Sequence, residues 1–181
     1  MNGALRSRGV TLVELLVVVA IIGVVAVAAT PFLSSANPQK LDYAASEFAS
    51  AMRFARSEAM RTGEPYGFRE QTSAMWIRVF RADTGTSPWD LVYDVYHPVS
   101  RQLYDIRLYD HPLAAADSLS HNSVYRGTCD KPGDVYFDGN GTPWCANPET
   151  VLLEQFVTTL SLGGHTRVVT LDGISGRVTV R

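Results

Sequence analysis

Residues 10–33 read VTLVELLVVVAIIGVVAVAATPFL, an apolar run interrupted only by Thr11, Glu14, Gly23, Thr30 and Pro31. About 20 apolar residues suffice for a membrane-spanning helix, so the run is long enough to be one. Glu14 decides how it is read. A carboxylate near the start of such a helix costs about 2.5–3.5 kcal/mol on insertion scales, so it needs a partner or a function. A removable secretory signal fits the preceding Arg6 and Arg8 and the small residues Ala26-Val27-Ala28, but its apolar heart rarely holds an ionised group. A plain anchor fits the length and leaves Glu14 unexplained.

Both features are explained by the motif RGVTLVE, Arg8 to Glu14. It resembles the prepilin peptidase site of the type IV filament superfamily: a short basic leader ending in Gly9, cleavage, and a new N-terminus at Val10. The match continues through Thr11, Glu14 in the fifth place of the mature chain, Gly23 in the fourteenth and Pro31 in the twenty-second. Val10 departs from the usual Phe. The resemblance implies cleavage between Gly9 and Val10 and N-methylation of Val10. It also implies a role in assembly for Thr11 and Glu14, and weak points in the helix at Gly23 and Pro31. Residues four apart share a helix face, so Glu14 lies one turn from the new amine of Val10. It also stands where the helix dipole favours negative charge. In the family this carboxylate neutralises the N-terminal amine of a subunit already in the filament, and burying two opposite charges together is cheaper than burying either alone.

The 181-residue chain has room for one small domain beside the helix, and its net charge is −2. Removing Arg6 and Arg8 takes it from −2 to −4, which gives no global attraction for nucleic acid. The two arginines hold the N-terminus in the cytoplasm and put everything beyond the span outside the inner membrane.

Beyond Pro31 the helical pattern resumes at Asn37-Pro38, a capping residue followed by a favoured first helical residue. Leu41, Ala44, Ala45, Phe48, Met52, Ala55 and Ala59 form an apolar stripe that ends before Gly63. Lys40, Asp42, Arg53, Arg56 and Arg61 take the opposite face. Alternation then replaces the helical period over 75–81, 91–96 and 103–109, with a turn at 83–88. Further strands are expected at 135–137, 152–160, 167–171 and 177–180. A helix followed by antiparallel strands is an α+β arrangement, pilin-like under the resemblance. The expected division is a leader at 1–9, a transmembrane and polymerisation helix at 10–33, an amphipathic second half at 34–63 and a β-rich domain at 64–181.

Residues 45–65, ASEFASAMRFARSEAMRTGEP, resemble the post-anchor helix of the GspH/FimT group of minor pseudopilins and minor pilins. The segment from Val135 to Gly141, with the closing Val168-Val169 and Ser175-Gly176-Arg177-Val178, resembles that group's C-terminal pattern. Residues 82–130 carry no named resemblance. Cys129 and Cys145, the only cysteines, are expected to pair in an oxidising compartment. Closing their loop contributes about 3 kcal/mol.

Asp134, Asp138 and Asn140 raise a calcium site. They lack the full acidic loop and its distant glutamate, and Asp-Gly and Asn-Gly read as a tight turn. His97, His111, His121 and His165 stand apart and read as solvated loop residues. No metal, cofactor or enzymatic activity is expected. Two functions follow. One is a structural subunit that primes assembly or sits at the tip of a type IV pilus or type II secretion pseudopilus. Its partners would be other pilins or pseudopilins, prepilin peptidase, the inner-membrane assembly platform and, before assembly, the lipid bilayer. The other is DNA capture in natural transformation through Arg177 and Arg181, with Arg167 nearby if the last two strands pair.

Overall fold

The computed structural model describes residues 11–34, 36–71, 75–86, 89–111, 113–114, 119–127, 129, 134–145 and 151–181, with the side chains of 26–34 and 36 outside that description. The chain forms two compact units, 1–36 and 37–181.

The first unit contains helix α1, Leu12–Ser34, which includes both Gly23 and Pro31. Every described large apolar side chain on it is exposed, from Leu12 at 79 % to Val25 at 60 %. Among the described residues no helix is long and apolar enough to cross a membrane; the described side chains of α1 end at Val25. The span over 10–33 therefore rests on the sequence.

The second unit opens with helix α2, Ala36–Thr62, one residue before the expected Asn37 start. Among the described residues ten strands follow: β1 Tyr66–Gln71, β2 Trp76–Asp83, β3 Asp90–Val92, β4 Asp105–Arg107, β5 Ser120–Arg126, β6 Asp134–Phe137, β7 Pro143–Cys145, β8 Gln155–Leu162, β9 His165–Asp172 and β10 Val178–Val180. They make two antiparallel sheets. The six-stranded sheet runs β3-β2-β1-β6-β7, and β4 shares the outer edge of β2 with β3. The four-stranded sheet runs β10-β9-β8-β5.

All seven residues of the α2 stripe are fully buried. They pack with Phe68 of β1, Ile77 and Val79 of β2, Phe137 of β6, Phe156 and Leu160 of β8 and Leu171 of β9. Helical period and burial thus agree. Truncating a residue such as Phe48 costs about 3–5 kcal/mol. Strict alternation fails in β2 because Phe80 and Ala82 belong to a second apolar cluster with Tyr136. The two expected strands around residue 100 shrink to the short β3 and β4. Between them Tyr96 and Leu103 form an isolated bridge that closes a small hairpin.

Candidate functional site

At the start of α1, the Glu14 N–H donates to the Thr11 hydroxyl at 3.3 Å, and the Leu15 N–H to the Thr11 carbonyl at 3.2 Å. Thr11 is thus the cap and Glu14 the third helical residue, the spacing of a capping box. The carboxylate sits where unsatisfied N–H groups concentrate positive potential, and it is exposed. Gly9 and Val10 lie outside the described residues. Gly23 meets nothing on α1: a methyl group added there finds no atom within 4 Å.

Three segments quoted separately above meet at one arginine. Arg56, within the ARSEA segment of α2, donates through Nε to the Gly141 carbonyl at 3.0 Å and through Nη2 to the Ser175 carbonyl at 2.8 Å. One turn earlier, Arg53 Nη2 donates to the Val178 carbonyl at 3.1 Å. The fork of one guanidinium therefore ties α2 to the turn after β6 and to the turn before β10, a geometry that a lysine cannot reproduce. Both turns must be small where they touch. Gly141 and Gly176 have φ of 77° and 63°, and a Cβ on Gly176 would meet the Gly141 carbonyl and Arg56. Arg56, expected on the solvated face, is a half-buried clamp instead, while Arg53 is exposed as expected and still makes a tie. Their acceptors are backbone carbonyls, which leave no trace in sequence.

The first of those turns is organised by Asp138. Asp138 Oδ1 accepts the N–H groups of Asn140 and Thr142, both at 2.9 Å, and Oδ2 accepts Trp144 Nε1 at 3.1 Å. Asp134 is bound in a two-point pair with Arg69. Both carboxylates are bonded within the domain, and Gly141 N donates to the Asp138 carbonyl at 2.8 Å to close a tight turn. In the second turn, Asp172 accepts from Ser175 N at 2.8 Å and Ser175 Oγ at 2.6 Å, and these bonds hold its carboxyl below the ordinary value.

The histidines correct the sequence reading. His121 lies in β5, its side chain wholly buried, with Nε2 2.9 Å from Glu70 of β1. The same carboxylate accepts from Ser123 at 2.8 Å and Tyr125 at 3.1 Å, and Thr158 of β8 lies 2.9 Å from the Ser123 hydroxyl. This buried network joins the two sheets through one carboxylate. It contains Ser, His and Glu, yet Ser123 is bonded to Glu70 rather than to His121, so no nucleophile–base pair exists there. His111 stacks on Tyr43 of α2 at 4.8 Å, and His97 packs on Tyr104 at 4.7 Å. His165 opens β9 and is exposed.

Cys129 and Cys145 are joined in a disulfide with a sequence separation of 16. The three C-terminal arginines are divided. Strands β9 and β10 do pair, with Val178 opposite Leu171 in the core and the exposed Val180, of the same parity, opposite Val169. Arg167 shares the core-side parity and bonds Asp42 of α2 at 2.5 Å. Arg177 and Arg181 take the opposite parity and face outward. The expected three-arginine set does not form.

Residues 5–30 match the prokaryotic N-terminal methylation motif, and residues 44–175 match the family described as type II transport protein GspH. The latter match runs through 82–130, where the sequence alone showed no resemblance. No curated protein matches. Among solved structures, the fold is similar to the minor pseudopilin EpsH of the type 2 secretion system of Vibrio cholerae. That likeness has a TM-score of 0.53 and 10% identity and covers 78% of this chain and 96% of the other. The chain is also similar to the type IV minor pilin FimU of Pseudomonas aeruginosa, with a TM-score of 0.49 and 17% identity, over 80% of this chain and 90% of that one.

Proposed function

The chain belongs to the type II transport protein GspH family, a group of non-catalytic pilin and pseudopilin subunits, and from that membership we propose that it is a minor subunit that primes assembly or occupies the tip of a type IV pilus or pseudopilus. The observation that supports this most is the start of α1. A capped helix presents a carboxylate at its third residue, and every described large apolar side chain behind it is uncovered. Exposed apolar surface on that scale needs lipid or other helices to cover it. On this reading residues 1–9 are the leader removed by prepilin peptidase. Residues 10–33 span the inner membrane and later enter the filament core, 34–63 continue as the amphipathic helix, and the 64–181 domain lies in the periplasm. Glu14 pairs with the Val10 amine of a neighbour, delivered by the assembly platform. Thr11, by fixing the first turn, sets where that carboxylate stands. Gly23 and Pro31 are the places where α1 would unwind in the fibre.

Mass spectrometry of the chain from sheared filaments tests the reading. A mature N-terminus at N-methylated Val10 is expected; an intact leader, or trimming after Ala28, contradicts it.

A second reading, DNA capture, keeps one supporting observation. The register places Arg126, Gln155, Asp172 and Arg177 in one row across the outer face of the four-stranded sheet, and Arg181 stands four residues on. A few arginines on an acidic domain give weak, strongly salt-dependent binding. A low-salt gel shift that persists after Arg177→Ala and Arg181→Ala, or that never appears, ends that reading.

A further inference from the structure

Between α2 and the 97–111 segment, beside the Tyr43–His111 stack, lies a concave groove of about 440 Å³. The segment is held in shape locally. Val99 and Ser100 donate their N–H groups to His97 Nδ1 at 3.2 and 3.1 Å, and His97 N donates to the Gln102 carbonyl at 2.8 Å. Aromatic rings line the groove: Tyr43, stacked on His111 with its hydroxyl 3.1 Å from Nε2, and Tyr104, packed on His97. Burial, reinforced by Glu47, pushes the Tyr43 hydroxyl up to about 12 and that of Tyr104 higher, so both rings stay neutral.

Three carboxylates, Glu47, Asp105 and Asp110, share the lining with one arginine, Arg107. Asp105 already spends Oδ2 on Arg78 Nε at 2.9 Å, which leaves Glu47 and Asp110 as the groove's remaining negative charge beside Arg107. Ring faces attract cations. At the lip, Val99 and Leu103 are 83 % and 51 % exposed, apolar surface suited to the stem of a long basic side chain.

We propose that this groove receives an arginine side chain presented by a different subunit of the same filament. Charge complementarity selects a cation. The flat ring walls select a planar guanidinium over a compact ammonium. The inference rests on the filament-subunit reading for the source of the arginine.

The full chain in detergent micelles, titrated with acetyl-arginine amide and with its neutral isostere acetyl-citrulline amide, tests the chemistry. The ring signals of His97 and His111 should respond saturably to arginine alone. Asp110→Asn, an exposed change, and Glu47→Gln should each weaken that response by about fivefold. An equal response to citrulline, no saturable response to arginine, or indifference to both substitutions overturns the site. A photocrosslinking residue at Gln102 in cells tests the source, with an adduct to an arginine-bearing peptide of another filament subunit expected. No adduct, an adduct with a second copy of this chain, or one with a protein outside the filament overturns the assigned occupant. Failure of the filament reading itself shows elsewhere, as normal assembly of Glu14→Ala, which the titration does not sense.

Discussion

Helix α1 and the domain that follows it solve opposite problems. The domain holds its shape through many mutual ties: a buried stripe on α2, a carboxylate shared by two sheets, an arginine fork across two turns and a disulfide. Helix α1 has no described tie of that kind beyond its own backbone and the Thr11 cap, and it leaves its apolar side chains uncovered. The difference is a division of labour. Under the proposed function, a unit that moves from lipid into a fibre cannot spend its surface on its own chain, whereas a domain facing water must. Polar groups buried in the domain therefore act in stability, while the one carboxylate on α1 is free to act on a partner.

That contrast predicts where substitutions will be felt. Glu70→Ala should be the most damaging change in the domain. It leaves His121, Ser123 and Tyr125 without their shared acceptor, and the loss should reach about 3–5 kcal/mol in urea unfolding. Filament entry of whatever chain remains folded should be normal; a loss under 1 kcal/mol would show, on the scale of an exposed pair, that the sheets are not joined there. Replacing Cys129 and Cys145 together by serine should lower stability by about 3 kcal/mol, read as a lower urea midpoint. Arg56→Lys should remove about 2 kcal/mol, because one ammonium cannot serve the Gly141 and Ser175 carbonyls at once. The smallest effect belongs to Asp172. Its folded carboxyl lies below the ordinary 3.8, so its contribution is present above that value and is lost as pH falls through the depressed one. Ser175→Ala should therefore lower the melting temperature slightly at neutral pH. The gap from the parent protein should close in acid; a gap that widened below pH 3.8 would reverse the sign.

How much of this was legible in the sequence follows the same division. The α2 stripe was readable because a helix buries every third or fourth residue whatever lies opposite, and Leu41 to Ala59 keep that rhythm. Glu14 was readable because an acid in an apolar run has few explanations. The cap beneath it had its own signal, Thr11 and Glu14 three apart, which the motif reading absorbed unremarked. Strands β1, β5 and β7 were missed. Tyr66–Gln71 contains Gly67, Arg69 and Glu70, Ser120–Arg126 is mostly polar, and Pro143–Cys145 begins with proline. Each reads as a loop until the partner of its polar residue is known. His121 and Arg56 were misplaced for the same reason, since a buried carboxylate on another strand and two backbone carbonyls cannot be seen from the residue that binds them.

The central claim is that assembly runs through Glu14 and the fold does not. Replacing Glu14 with Ala and measuring both filament incorporation and the thermal unfolding of the chain tests it most directly. The account predicts membrane insertion and an unfolding transition like those of the parent, with the subunit missing from sheared filaments. Normal incorporation of Glu14→Ala would contradict it.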